Sequence, residues 1–460
     1  MLRRRRRARR RAGRTLATLA LLGTAVAVTA GPALAHGGAI AANRQPVTVP
    51  TWLVLVTGGA AVGASFLLAT FVTDRAMVRA VDGWRRFAPA PGRIARGVTQ
   101  AVGVLGLVAV LAVAAVGPTE NNAAVLFVWV GWWAGYTMTT YLVGNSWPAL
   151  NPWRTLSGLL PSMDESYPDR LGAWPAVVAL LALIWVETVS PITDDPRPMA
   201  VVILAYTLVT LTGAAVYGAG QWFRRADPMA RVFRYYGAVA PVQRTDDGLS
   251  VRLPGGALSE LEVDDDSEVA FVVALLWATT FDGFVSTAAW GDIAGAVRAA
   301  GIPLEIAYLA VLAGGFGLFL GGWRLASRLA RRTGDTYLST AGVARRFAPS
   351  LLAIAAGYHL AHYLGFLLSL APAIVVLSAT PLSVPAQVPL LALPGWFDLV
   401  GMAAILLGHV LAIWVAHATA YDLFPGRLQA VRSQYPFIVV MVFYTMTSLW
   451  LVAQPEVPVP

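Results

Sequence analysis

Ten stretches of this chain are each long and apolar enough to cross a hydrocarbon layer, and no other feature constrains its fold as tightly. They run roughly over residues 51–73, 98–118, 123–144, 174–192, 199–221, 268–288, 303–323, 347–370, 396–419 and 436–453. A hydrocarbon core about 30 Å thick takes about 20 residues of helix to span. Backbone N–H and C=O groups in lipid find no water, so a span closes its hydrogen bonds within itself. The short alternating segments of a membrane barrel are not seen. The expectation is an all-α polytopic transmembrane helix bundle.

Composition agrees. Of 460 residues, 57% are hydrophobic and 13% charged, against about 25% charged in soluble domains. That excludes a disordered chain and argues against a soluble enzyme. Cysteine is absent, which removes disulfides, thiolate metal sites and a thiol nucleophile.

The formal charge of +9 suggests a nucleic-acid partner until the arginines are located. All 34 basic residues are arginine, and nine lie within the first fourteen positions. An apolar run from Thr15 to Thr29 follows, then the small-residue motif Ala33-Leu34-Ala35. This is the pattern of a cleaved signal peptide over residues 1–35, leaving 36–460 as one membrane domain that opens at His36. The remaining 25 arginines balance 25 acidic residues, so no basic patch for nucleic acid is left. Of those arginines, 22 fall in the loops after odd-numbered spans, and only Arg44, Arg197 and Arg298 lie on the other side. By the positive-inside rule this places both termini outside, in the plasma membrane.

Most connections are short. The longest, about 224–267, is expected on the cytoplasmic face. Its basic stretch RRADPMARVFRYYG reads as a helix in the headgroup plane, followed by a hairpin around Pro254-Gly255-Gly256. Trp147 and Trp153 in GNSWPALNPWRTL read as interfacial anchors. The glycine-rich run 314–322 reads as close helix packing.

Ionisable side chains within spans are costly and mark function. Here they are Glu187, Asp282, Glu305, His359, His362, Asp398, His409 and His417. At about 1.5 Å per residue, Glu187, Asp282, His359 and His362 all sit about 18–22 Å from the inner end of their helices, with Asp398 near the same outer surface. Glu305 follows Pro303 and reads as a helix-start acid. His417 has Asp422 as a nearby partner. Asp282, His362 and Glu187 are the candidate catalytic groups. His36, Asp282, His362 and Asp398 are the candidate metal ligands, and His359, His409 and His417 the candidate cofactor-binding imidazoles. Carboxylates with imidazoles suit a transition metal such as Zn or Cu, and an N-terminal His36 offers an amine and a ring to Cu. Nucleotide-binding loops and the H-E-x-x-H zinc motif are absent.

Short motifs spread over the chain carry a resemblance: AHG at the cleavage site, PTWL, NPWRTL, TTFDGFVSTAAW, AHYLGFLLSL and GHVLAIWVAH. The chain resembles actinobacterial multi-pass membrane proteins labelled fenitrothion-hydrolase-like. The resemblance singles out His36, Asp282, His362, His409 and His417, whereas His359 and the His417–Asp422 spacing are less typical of the group. It implies hydrolysis of an organophosphate-type ester, compatible with a metal-bound water. Beside this hydrolase reading stand two others: a copper- or haem-binding membrane protein, and a proton- or cation-coupled transporter. The bilayer and a small-molecule substrate are the partners expected.

Overall fold

The computed structural model describes residues 51–89, 92–190, 192, 194–245, 248–383 and 388–454. The expected signal peptide and His36 lie outside the described residues. Ten principal helical segments follow: α1 (Thr51–Phe71), α2 (Arg93–Val116), α3 (residues 123–142), α4 (Trp174–Val189), α5 (Pro196–Tyr217), α6 (Asp266–Val285), α7 (Leu304–Thr333), α8 (Ser350–Ala379), α9 (Asp398–Leu423) and α10 (Arg427–Val452). Among the described residues, eight helices are long and apolar enough to cross a membrane; α3 and α4 are not among them. α4 has only 16 residues. α3 is composite, with the π-helical turns Phe127–Tyr136 between the short α-helices Ala123–Leu126 and Thr137–Leu142.

The helices differ sharply in how much of them the protein covers. In α6, 89% of the most apolar window is buried inside the protein, whereas in α2 the figure is 6%. A helix apolar on every side can be either a core helix or a lipid-facing one, and this chain uses both. α6 is the hub, packed against α4, α7 and α8, while α2 leans on α5 at the periphery. α6 starts where Asp265 caps it, its side chain accepting from the Ser267 and Glu268 amides.

The closest helix pair is α8 with α9. A Cβ built at Gly357 would stand 2.6 Å from the Ala404 carbonyl oxygen and 3.0 Å from Gly408 Cα. One built at Gly408 would stand 2.7 Å from the Ala353 carbonyl oxygen. These glycines let the two backbones touch, as small residues do between membrane helices. The glycine-rich run in α7 was expected to do this and mostly does not. Gly315 abuts the Trp277 indole, but Gly314, Gly317, Gly321 and Gly322 face open space.

The long connection folds differently from expectation. Most of its basic stretch forms the short helix Pro228–Gly237, whose side chains are largely covered by the protein itself. Arg231, Phe233, Tyr235 and Tyr236 are all buried. The Arg231 guanidinium donates to Glu268 at 2.5 Å and to the Arg224 carbonyl at 2.6 Å. An arginine paired with a carboxylate in this way can be buried, and it ties the connection to the start of α6. The hairpin turns earlier than expected, between β2 (Val242–Thr245) and β3 (Gly248–Arg252). β3 also pairs antiparallel with β1 (Arg85–Ala88) from the α1–α2 loop, with Arg85 opposite Arg252. A small three-stranded sheet, in the order β1-β3-β2, thus joins two loops of an otherwise helical protein.

Alanine at Gly357 gains about 0.5–1 kcal/mol in helix propensity but meets the backbone of α9, and overpacking costs about 1–3 kcal/mol. Gly357→Ala is expected to lower the thermal midpoint of the detergent-solubilised protein, and Gly317→Ala is expected not to. Equal midpoints would show that the α8–α9 contact is not tight.

Candidate functional site: a carboxylate–imidazole chain between helices

α4, α6 and α8 each bring a side chain to one place. Glu187 lies near the end of α4, Asp282 near the end of α6, and His362 with Tyr363 in the first half of α8. His362 Nε2 is 2.8 Å from Asp282 Oδ2. The Tyr363 hydroxyl is 2.9 Å from the same oxygen and 3.2 Å from Glu187 Oε1. Trp133, from the π-helical part of α3, donates its indole N–H to the Tyr363 oxygen at 3.2 Å. The result is one hydrogen-bonded chain: His362, Asp282, Tyr363, Glu187. Glu187 and Tyr363 are buried, while the His362 and Asp282 side chains are each 19% exposed.

The sequence brought Glu187, Asp282 and His362 to a common depth, and the structure links them through Tyr363. Tyr363 and Trp133 were not foreseen. Neither carries a charge, so a search for ionisable groups passes over them. The signal available was position: Tyr363 follows His362 directly, and Trp133 belongs to the aromatic run FVWVGWWAGY.

His359 faces another way. Its Nδ1 is 3.0 Å from the Tyr141 hydroxyl. Its ring is boxed by Trp133, Tyr141, Tyr236 and Tyr363 at centroid distances of 4.6 to 6.2 Å. His409 and His417 are tied to backbone instead. A carbonyl only accepts, so His409 Nδ1 donates to Ile405 O at 2.8 Å and His417 Nε2 to Val72 O at 3.0 Å. The expected His417–Asp422 pair is not made by this bond; Asp422 lies 3.7 Å from Arg79 across an exposed ion pair. Asp398 is half-buried in the first turn of α9, and Glu305 stands in the first turn of α7 as expected.

Zinc takes three or four protein ligands converging on one point. Among the described residues, no three His, Asp or Glu side chains are placed to hold a metal ion. The reason is visible in the chain of bonds. His362 and Asp282 bond directly to each other, and the Tyr363 hydroxyl fills the gap between Asp282 and Glu187. These donors, as arranged, do not fit a Zn or Cu centre. The expected ligand His36 lies outside the described residues.

Beside Glu187 lies a cavity of about 470 Å³, walled by α2, α3, α4 and α5 and by the loop after α3. Trp147 and Trp153, expected as interfacial anchors, are buried and line it. In its wall Tyr206 donates to Asp227 at 2.7 Å. Asp227 caps the short helix Pro228–Gly237, and burial raises its carboxyl above the ordinary value against the pull of hydrogen bonds from Ala230 and Tyr206.

No family model matches the chain, and no curated protein or solved structure matches it significantly.

Removing the Tyr363 hydroxyl leaves buried carboxyl oxygens short of a donor, which costs about 1–3 kcal/mol. Tyr363→Phe is expected to lower the thermal midpoint clearly, whereas Tyr337→Phe, at a fully exposed residue, is expected to leave it unchanged. Equal effects would show that the hydroxyl does not hold the chain together.

Proposed function

We propose that this is a ten-span plasma-membrane protein, with both ends outside, that holds and passes a proton along Glu187, Tyr363, Asp282 and His362 to drive movement of a small solute. The observation that carries the reading is the Tyr363 hydroxyl bridging two carboxyl groups from different helices. A phenol has one hydrogen to give, so it serves one carboxyl group at a time. A proton on the other carboxyl can be given back to the phenol oxygen, and switching the two arrangements moves a proton between α4 and α6. The partly exposed His362 offers the accessible end of the path. Acidic and imidazole side chains inside membranes commonly form such relays. The arrangement of arginines supports the orientation.

A second reading is favoured by the Asp282–His362 contact itself. A carboxylate fixing one ring nitrogen orients an imidazole as a general base, which suits an ester hydrolase that activates water with His362. Turnover of a phosphotriester by purified protein, lost in His362→Ala, would install this reading in place of the first.

Infrared titration of the purified protein tests the proposal without knowing the solute. The expected result is a carboxylic-acid C=O band that titrates in the wild type, shifts in Tyr363→Phe and disappears in Glu187→Gln/Asp282→Asn. An identical titration in the doubly substituted protein would overturn the relay.

A further inference from the structure

The cavity beside Glu187 has a wall chemistry of its own. Five tryptophans line it: Trp129, Trp132, Trp133, Trp147 and Trp153. Four of them form a run of touching indoles. Trp133 and Trp132 are 6.5 Å apart by ring centroid, Trp132 and Trp147 5.8 Å, and Trp147 and Trp153 6.2 Å. Among the described lining residues Glu187 is the sole charged side chain, and none is Arg or His. Aromatic faces carry negative potential and attract cations, most strongly where water is excluded. The Glu187 carboxyl, with no basic neighbour in the wall, adds a negative charge of the same sign when it gives up its proton, and a bound cation favours that form. An anion would find no counter-charge there, and a small hydrated ion would find few oxygens. The volume, about 470 Å³, lies within the range of about 300–1,000 Å³ that small-molecule sites occupy.

α2 contributes Gly103, Gly106 and Leu107 to the wall and is the least buried of the candidate spans. Most of its apolar surface is left uncovered by the protein, so the cavity lies next to a lipophilic face of the molecule.

We propose that this cavity binds a lipophilic organic cation, an aryl or alkyl ammonium or phosphonium, with its charge against Glu187 and its apolar groups among the tryptophans. This names a substrate class for the transport reading. Only the coupling of binding to proton movement rests on that reading; the binding itself does not.

The test uses a pair of probes alike in shape and opposite in charge, tetraphenylphosphonium and tetraphenylborate. Their binding to the purified full-length protein is measured by equilibrium dialysis. The wild type is expected to bind the cation at least about tenfold more tightly than the anion, the scale of one desolvated charge contact. Glu187→Gln is expected to lose that preference. Gly106→Phe is expected to abolish binding by filling the cavity from a position where a Cβ meets nothing within 4 Å. Equal affinity for the two probes, or no binding of either, overturns the inference, and this comparison needs no variant to fold. Selective cation binding that survives both substitutions would place the site elsewhere and also overturn it. Should the cation bind as expected while no carboxyl band titrates, the cavity assignment stands and the relay alone falls.

Discussion

Two carboxyl groups largely withdrawn from water on neighbouring helices cannot be left to themselves, and one phenol holds them together. An ionised group removed from water costs several kcal/mol unless it is bonded to partners. Glu187 and Asp282 meet that requirement through Tyr363, with His362 completing the bonds on one side and Trp133 fixing the phenol on the other. The surrounding helices are arranged to make this possible. α6 is covered on nearly every side, and α8 lies against α6, α9 and α3 at once. The glycine contacts between α8 and α9 let α8 sit deep enough to carry His362 and Tyr363 to the site.

The architecture was largely legible in the sequence, because hydropathy over about twenty residues is a strong signal. Helical segments lie at all ten expected stretches. Their ends were less legible. α7 runs on through its basic tail to Thr333, and α10 begins at Arg427, well before Pro436. A helix does not stop where lipid stops, and proline is tolerated inside membrane helices when neighbours satisfy the freed groups. The burial of the 224–267 connection was not legible for a related reason. Its helix is amphipathic, but its apolar and aromatic side is covered by protein rather than lipid, and periodicity alone does not say which.

The site was half legible. Charge in an apolar span identified Glu187, Asp282 and His362, and helical rise placed them at one depth. What turned proximity into a connected chain was a neutral tyrosine and a tryptophan, and neither stands out in a membrane sequence rich in both. The π-helical turns of α3 were also invisible, yet they carry Trp129, Trp132 and Trp133. Such wide turns recur at functional sites in other helices. Here they put tryptophans into the cavity wall and against Tyr363 in one segment. The metal expectation arose because residue types suggest ligands, whereas ligation requires that nothing else already fill the space between them.

The central claim is energetic: Glu187 and Asp282 sense each other through Tyr363. A double-mutant cycle of Glu187→Gln and Asp282→Asn, read by unfolding free energy, addresses it directly. Residues sharing one hydrogen-bond network couple by about 0.5–3 kcal/mol. Coupling in that range is expected in the wild type, and its loss is expected when the cycle is repeated in Tyr363→Phe. Independent, additive effects in the wild-type background would contradict it.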